Sequence, residues 1–313
     1  MSGVQSSTVN GQIITYTATI TGTTGSLAPT GTPTWTVTGP ISGADSCQST
    51  TGPATTGVAS TYTCVVPATA AGTYTAAVSV AADSNYFAAN DLSSPFPLVI
   101  AQSAPTVTVT TSSANATLGS SFTFTATVAG PVGGATPTGT GSWSIIGVSG
   151  ITCASTSGPT AGGSANIVTY SCTVVASSAG IYAPLFTFNG DANYSATAPT
   201  SGYTTTVAKA NPTVVVTDDT ATAVLGNTLT FTATVTGPTN AIAPSASGIW
   251  TIAGVSGVTS CTTTTGPTAA LSVATYHCTV VATHAGTYSA TFTFPGDSAY
   301  NACLLYTSDA ADE

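Results

Sequence analysis

From Phe122 to Val128 the chain alternates strictly. Phe122, Phe124, Ala126 and Val128 are apolar, and Thr123, Thr125 and Thr127 lie between them. A period of two turns one set toward a core and the other toward water, which predicts a half-buried strand rather than a helix. The same alternation returns at Tyr170, Cys172 and Val174, and at Tyr182, Pro184, Phe186 and Phe188. Pro105 opens a short alternating run, Trp143 and Ile145 mark another, and Thr204 to Val207 closes the series. A Gly/Ser/Thr-rich stretch around Cys153 and the turn Gly190-Asp191-Ala192-Asn193-Tyr194 separate these runs. About seven short strands with regular turn signals predict an all-β, two-sheet Greek-key sandwich.

The pattern is copied along the chain. Trp35, Trp143 and Trp250 are 108 and 107 residues apart. Tyr74, Tyr182 and Tyr288 are 108 and 106 apart, as are Asp83, Asp191 and Asp297. Three unrelated markers moving together define a unit of domain size, larger than a solenoid repeat. Ile14, Tyr16, Ala18 and Ile20 match the Phe122 strand, as do Leu229, Phe231, Ala233 and Val235. We therefore expect units at 1–102 (without its first strand), 103–208 (complete) and 209–302 (without its last strand). The joints, Leu98 to Pro105 and Val207 to Pro212, are short and end in proline, which holds the preceding residue extended. A semi-rigid rod follows, with roughly 35–45 Å per unit from strand rise plus end loops.

Composition then removes function classes. The chain has one Lys, no Arg and ten acids. A single cation cannot neutralise phosphates, so nucleic acid is not an expected partner. No apolar run approaches the roughly 18 residues of a spanning helix, so no membrane insertion is expected. Met1 to Val4 has neither a basic nor an apolar leader segment, and the sequence reads as an internal piece of a longer exported protein. Residues 303–313, CLLYTSDAADE, leave the repeat pattern and resemble translated sequencing-adapter read-through, so they are set aside as a non-native tail.

Three stretches carry a family resemblance: the strand FTFTATV at Phe122 to Val128, AGTY or AGIY ending at Tyr74, Tyr182 and Tyr288, and the turns FNGDANY and FPGDSAY ending at Tyr194 and Tyr300. The first unit lacks the Gly of that turn and reads Ala82-Asp83-Ser84-Asn85-Tyr86. Over about residues 8–301 the chain resembles bacterial Ig-like repeats (the group 3 type) of large surface proteins and adhesins. The resemblance implies tandem immunoglobulin-like sandwiches, an extracellular or cell-surface location, a spacer or adhesive role and no catalytic residues. The AGxY element also resembles the tyrosine corner of immunoglobulin domains. Two residues after that Tyr, where antibody-type domains carry Cys, stand Ala76, Pro184 and Ala290, so their inter-sheet disulfide is not expected.

Six cysteines fall one pair to a unit: Cys47 with Cys64, Cys153 with Cys172, Cys261 with Cys278. Without CxxC or a recurring His, zinc is not expected, and three intradomain disulfides in an oxidising compartment are. Trp35, Trp143 and Trp250, with Tyr74, Tyr182 and Tyr288, are expected as core anchors rather than sugar platforms. His277 and His284 do not recur and read as incidental surface residues. Asp83, Asp191 and Asp297 read as caps of their own turns. The weak calcium candidates are Asp191, Asp218 and Asp219, should the turn approach the second joint; otherwise no metal and no cofactor is expected. No catalytic constellation is present, and the chain reads as a non-enzymatic stalk whose partners are its own neighbouring repeats. The alternatives are a module gripping surface glycans or proteins through its end loops, and an Ig-like decoration of a phage particle.

Overall fold

The computed structural model describes residues 2–5, 9–41, 45–90, 96–219 and 222–306, and among these every regular element is a strand. The middle third shows the architecture in full. One sheet orders Ser155–Ala161, Ile167–Val175, Ser121–Ala129 and Thr106–Thr111. The other orders Asn115–Ala116, Thr205–Val207, Gly180–Phe188 and Gly141–Ile146. Ser121–Ala129 pairs with Ile167–Val175 across a long excursion, which is Greek-key connectivity. Asn115–Ala116 crosses to the second sheet and pairs parallel with Thr205–Val207. This is the two-sheet immunoglobulin-like arrangement.

The first and last thirds repeat it. Ser2–Gln5, Gln12–Thr21, Ala59–Ala68 and Ser49–Thr56 share a sheet, facing Pro33–Thr38, Gly72–Val80 and Phe96–Ile100. Thr213–Asp218, Thr228–Thr236, Val273–Val281 and Thr263–Ala270 face Ile249–Ala253, Ser289–Phe294 and Cys303–Tyr306. Two expectations about the outer thirds change. Ser2–Gln5 pairs antiparallel with Ile14 to Thr17, so a short strand does occupy the first edge. Cys303–Tyr306, set aside with the tail, pairs with Thr291 to Phe294 because an extended segment satisfies that edge's backbone groups whatever its sequence. Residues 311–313, at the position of the closing strand, lie outside the described residues. Among the described residues, none of the sheets takes strands from two sandwiches.

Period-two alternation builds the cores. Ser121–Ala129 and Ile167–Val175 bury every second residue, with Phe124, Val128, Cys172 and Val174 fully enclosed. Phe122 meets Phe124 and Tyr182 edge-on, each with centroids 5.4 Å apart. Trp143 and Trp250 are only half-buried; they lean on Phe186 and Phe292 at 4.8 and 4.9 Å. Both strands alternate between half-buried and exposed positions around the tryptophan, so the indoles pack at the core margin rather than at its centre. The outermost strands Ser49–Thr56 and Ser155–Ala161 are exposed on both faces, so periodicity has nothing to report there. Gly158 sits in the second of them at φ +111°, where a Cβ would lie 2.6 Å from the Thr169 carbonyl oxygen and 2.8 Å from Tyr170 Cα. Only glycine fits that approach.

Disulfides join Cys47–Cys64, Cys153–Cys172 and Cys261–Cys278. Each ties a fully buried cysteine of an inner strand to the segment leading into the exposed outer strand. Cys303 is a free thiol.

Candidate functional site at the joints

The recurring Asp and Tyr of the late turn work together. Asp191 Oδ1 accepts from the amides of Asn193 (2.7 Å) and Tyr194 (2.9 Å), closing its own turn. Its Oδ2 reaches across the sandwich and accepts from the amides of Thr138 (2.6 Å) and Gly139 (3.2 Å). Asp83 repeats this with Asn85, Tyr86 and Thr30, and Asp297 with Ala299, Tyr300 and Ser245. The amide donors hold the Asp83 carboxyl at about 2, that of Thr30 first and that of Asn85 next. At Asp297 burial raises the carboxyl, but the donors from Ser245, Ala299 and Tyr300 outweigh it and leave it lowered.

The tyrosine completes the device. Tyr194 donates its hydroxyl to the Ala135 carbonyl, Tyr300 to that of Ile242 at 2.6 Å, and Tyr86 to that of Leu27 at 2.8 Å. Gly130 lets Tyr194 pass, since a Cβ there would lie 2.1 Å from the hydroxyl. Burial first, and then the Asp191 charge, push the Tyr194 hydroxyl up, so it stays a donor. Turn and facing loop thus become one rigid end-face on each sandwich.

The opposite end-face carries the AGxY element. Tyr182 donates to the Ser178 carbonyl at 2.8 Å and accepts from the Ser178 amide at 3.2 Å. Tyr74 bonds the Ala70 carbonyl at 3.1 Å, and Tyr288 that of His284 at 3.2 Å. These are tyrosine corners.

The two kinds of end-face meet at the joints. The Ala135 amide donates to the Thr69 carbonyl (2.7 Å), and the equivalent Ile242 amide donates to the Ser177 carbonyl (2.9 Å). The first joint is otherwise polar. Asn10, fully buried, donates to the Asn193 carbonyl and accepts from the Ser103 hydroxyl at 2.9 Å, while Asn193 Oδ1 accepts from the Ala71 amide at 2.9 Å. Gln102 adds a bond to the Asp191 carbonyl. The second joint is apolar: Leu118 takes the place of Asn10, and one hydrophobic cluster runs from Leu118 and Phe122 to Ala241 and Tyr300. Lys209, the chain's one cation, bonds the Asp297 carbonyl there.

The remaining candidates stay apart. The calcium reading of Asp191 with Asp218 and Asp219 is corrected. The Asp191 turn lies at the first joint, whereas Thr213–Asp218 runs away from the second joint and leaves Asp218 opposite Phe231 at the far pole. Asp219 Oδ1 accepts from the Thr230 amide there. Among the described residues no group of three or more His, Cys, Asp or Glu forms. His277 meets Thr232 on an outer face, and His284 is exposed. Among the described residues no helix is long and apolar enough to cross a membrane. The cross-joint partners Asn10 and Ser103 carry no sequence signal, because the equivalent positions hold Leu118 and Leu225, and Ala210; Asn193 recurs as Asn85, where nothing local marks a joint.

No protein-family profile matches the sequence, and no curated protein matches it. Solved structures do. The chain is similar to the Escherichia coli adhesin FdeC, at 15% identity and TM-score 0.32, over 96% of this chain and 93% of that one. It is similar to the Yersinia pseudotuberculosis adhesin InvE, at 14% identity and TM-score 0.38, over 64% of this chain and 58% of that one. A marsupial T cell receptor matches at 10% identity and TM-score 0.23, over 98% of this chain and all of that one (100%).

Proposed function

We propose that the chain is a non-enzymatic spacer of an exported cell-surface or adhesin-like protein, built from immunoglobulin-like units at 1–102, 103–208 and 209–302. The observation that carries this is the repeated joint: the same backbone bond, Ala135 to Thr69 and Ile242 to Ser177, bolts successive sandwiches at equivalent positions. Short joints held by rigid end-faces keep distance, which is what a stalk requires. The motifs that recur most strictly build those end-faces. Three disulfides in a chain with one cation suit an oxidising, extracellular compartment. Small-angle scattering of the full chain should give one elongated particle of roughly 105–135 Å, three units of strand-plus-loop length. A compact particle, or a broad spread of lengths, overturns the spacer reading.

A second reading, end-loop capture of a glycan or protein, draws on Phe87, which is 98% exposed beside the Asp83 turn. Its neighbour Tyr86 is committed to the Leu27 carbonyl, and on the spacer reading a glycan array probed with the full chain should stay blank. A reproducible hit lost in Phe87→Ser would replace the spacer by that reading.

A further inference from the structure

An asparagine followed by glycine is open to attack by its own backbone, because glycine puts no Cβ between its amide nitrogen and the asparagine side chain. The chain has two such pairs, Asn10-Gly11 and Asn189-Gly190. Their glycines share a backbone conformation, at φ +83° and +79°. Both pairs adjoin the first joint, yet their surroundings are opposite.

Asn10 is fully buried. Its Nδ2 donates to the Asn193 carbonyl, and its Oδ1 accepts from the Ser103 hydroxyl at 2.9 Å. The Gly11 amide donates to the Ala68 carbonyl at 2.7 Å. Side chain and backbone nitrogen are both held there, away from water. Asn189 is exposed, and its side chain makes one bond, from Nδ2 to the Thr140 hydroxyl at 2.9 Å. Among the described residues the Gly190 amide donates to no protein group. Asn189 and Gly190 line a cleft open to solvent, with Gln102 and Asp191 beside them. The other late turns offer no equivalent, since Ala81 and Pro295 hold the place of Asn189.

We propose that Asn189 is a site of spontaneous deamidation, and that its isoaspartyl product loosens the first joint. The Gly190 nitrogen gives its proton to hydroxide and bonds to Asn189 Cγ. The bond from Cγ to Nδ2 breaks, and ammonia leaves with a proton taken from water. Water then opens the resulting succinimide at either of its ring C–N bonds. Cleavage at Cγ leaves an aspartate. Cleavage at the main-chain carbonyl leaves an isoaspartate, whose main chain is longer by one carbon, about 1.5 Å. Water is consumed and ammonia released, with no oxidation or reduction. The lengthened link lies directly before the turn that bonds the first joint. There the Asn193 carbonyl accepts from Asn10 and from the Ser103 amide, Asn193 Oδ1 from the Ala71 amide, and the Asp191 carbonyl from Gln102. Hydrogen bonds weaken steeply over a displacement of that size. The second joint rests on the apolar cluster around Leu118, and its turn begins at Pro295, so it is untouched. The chemistry is the same whether the row acts as a spacer or as a binding module.

Prolonged incubation of the full chain in mildly alkaline buffer, then proteolysis and mass spectrometry with electron-transfer fragmentation, tests the site. Asn189 should be lost to aspartate and isoaspartate while Asn10 stays intact. In urea, where burial no longer separates them, both asparagines should convert at comparable rates. Hydrogen exchange of the isoaspartyl fraction tests the consequence. The amides of Ala71, Ser103 and Ala135 should exchange faster than in fresh protein, with the Ile242 amide of the second joint unchanged. Asn189→Ala, which copies Ala81 of the first sandwich, should age without that change. Asn189→Asp adds the charge without the extra carbon, and should match fresh protein. Retention of Asn189, equal loss of Asn10 from the folded chain, or unequal rates in urea overturns the proposal. So does an isoaspartyl chain whose first-joint amides stay fully protected. Faster exchange in aged Asn189→Ala or in fresh Asn189→Asp overturns it too, since something other than the longer main chain would then open the joint.

Discussion

Asp83, Asp191 and Asp297 each use both carboxylate oxygens. One closes the local turn; the other holds a loop some fifty residues earlier, Thr30, Thr138 or Ser245. The first role is legible in the sequence, because an Asp followed by small residues and a Tyr is turn chemistry. The second is not, because nothing local marks its acceptor's partner. The bonds have a pH signature. The Asp83 carboxyl is lowered to about 2 from 3.8 by the Thr30 amide first and the Asn85 amide next. A carboxyl depressed in the folded state stabilises above its unfolded pKa and loses that contribution as pH falls through the folded one. Stability should therefore drop between about pH 4 and pH 2, with Asp297 acting in the same direction. Urea unfolding across that range should show a shallower acid limb in Asp83→Asn, which is less stable at neutral pH. An unchanged limb would mean that these bonds do not differ between folded and unfolded states.

Among the elements, alternating strands were the most legible and exposed ones the least. Parity alone places Tyr62, Tyr170 and Tyr276 toward the core, and all three are buried. Parity says nothing of Ser155–Ala161, which is exposed on both faces and held in the sheet on one side only. The disulfide bears on this element. Cys153–Cys172 closes a separation of 19 residues and anchors the chain two residues before the strand begins. Replacing both cysteines by Ala should destabilise the middle sandwich by about 3 kcal/mol in the chain-entropy view. Hydrogen exchange should register the loss in Ser155–Ala161 and Ile167–Val175, with the first sandwich unaffected. Equal protection in both chains would show that pairing with Ile167–Val175 suffices. Trp143 illustrates the opposite limit: its strand parity points inward, yet it is only half-buried, packed against Phe186 at the core margin.

Over the whole molecule the two joints differ in kind. The first is a polar contact between separate cores, around Asn10, Ser103 and Asn193. The second shares one hydrophobic cluster across Leu118, Ala241 and Tyr300. Burial of shared apolar surface couples the stabilities of neighbouring units. Calorimetry should therefore resolve the first sandwich as its own transition and the other two as one. Leu118→Asn should split that joint transition, and a single transition retained by the variant would place the coupling elsewhere. The sequence by itself determined the all-β class, the period of just over a hundred residues, the core face of each inner strand and the turns between them. These are local matters of alternation, turn chemistry and composition, and each copy states them again. Only the tertiary structure decided what the recurring Asp and Tyr hold in place, that the Asp191 turn and Asp218-Asp219 lie at opposite poles, and that one joint is polar and the other apolar. Those outcomes depend on which residues meet across fifty to nearly two hundred positions of chain, and no periodicity in a linear sequence encodes such a meeting.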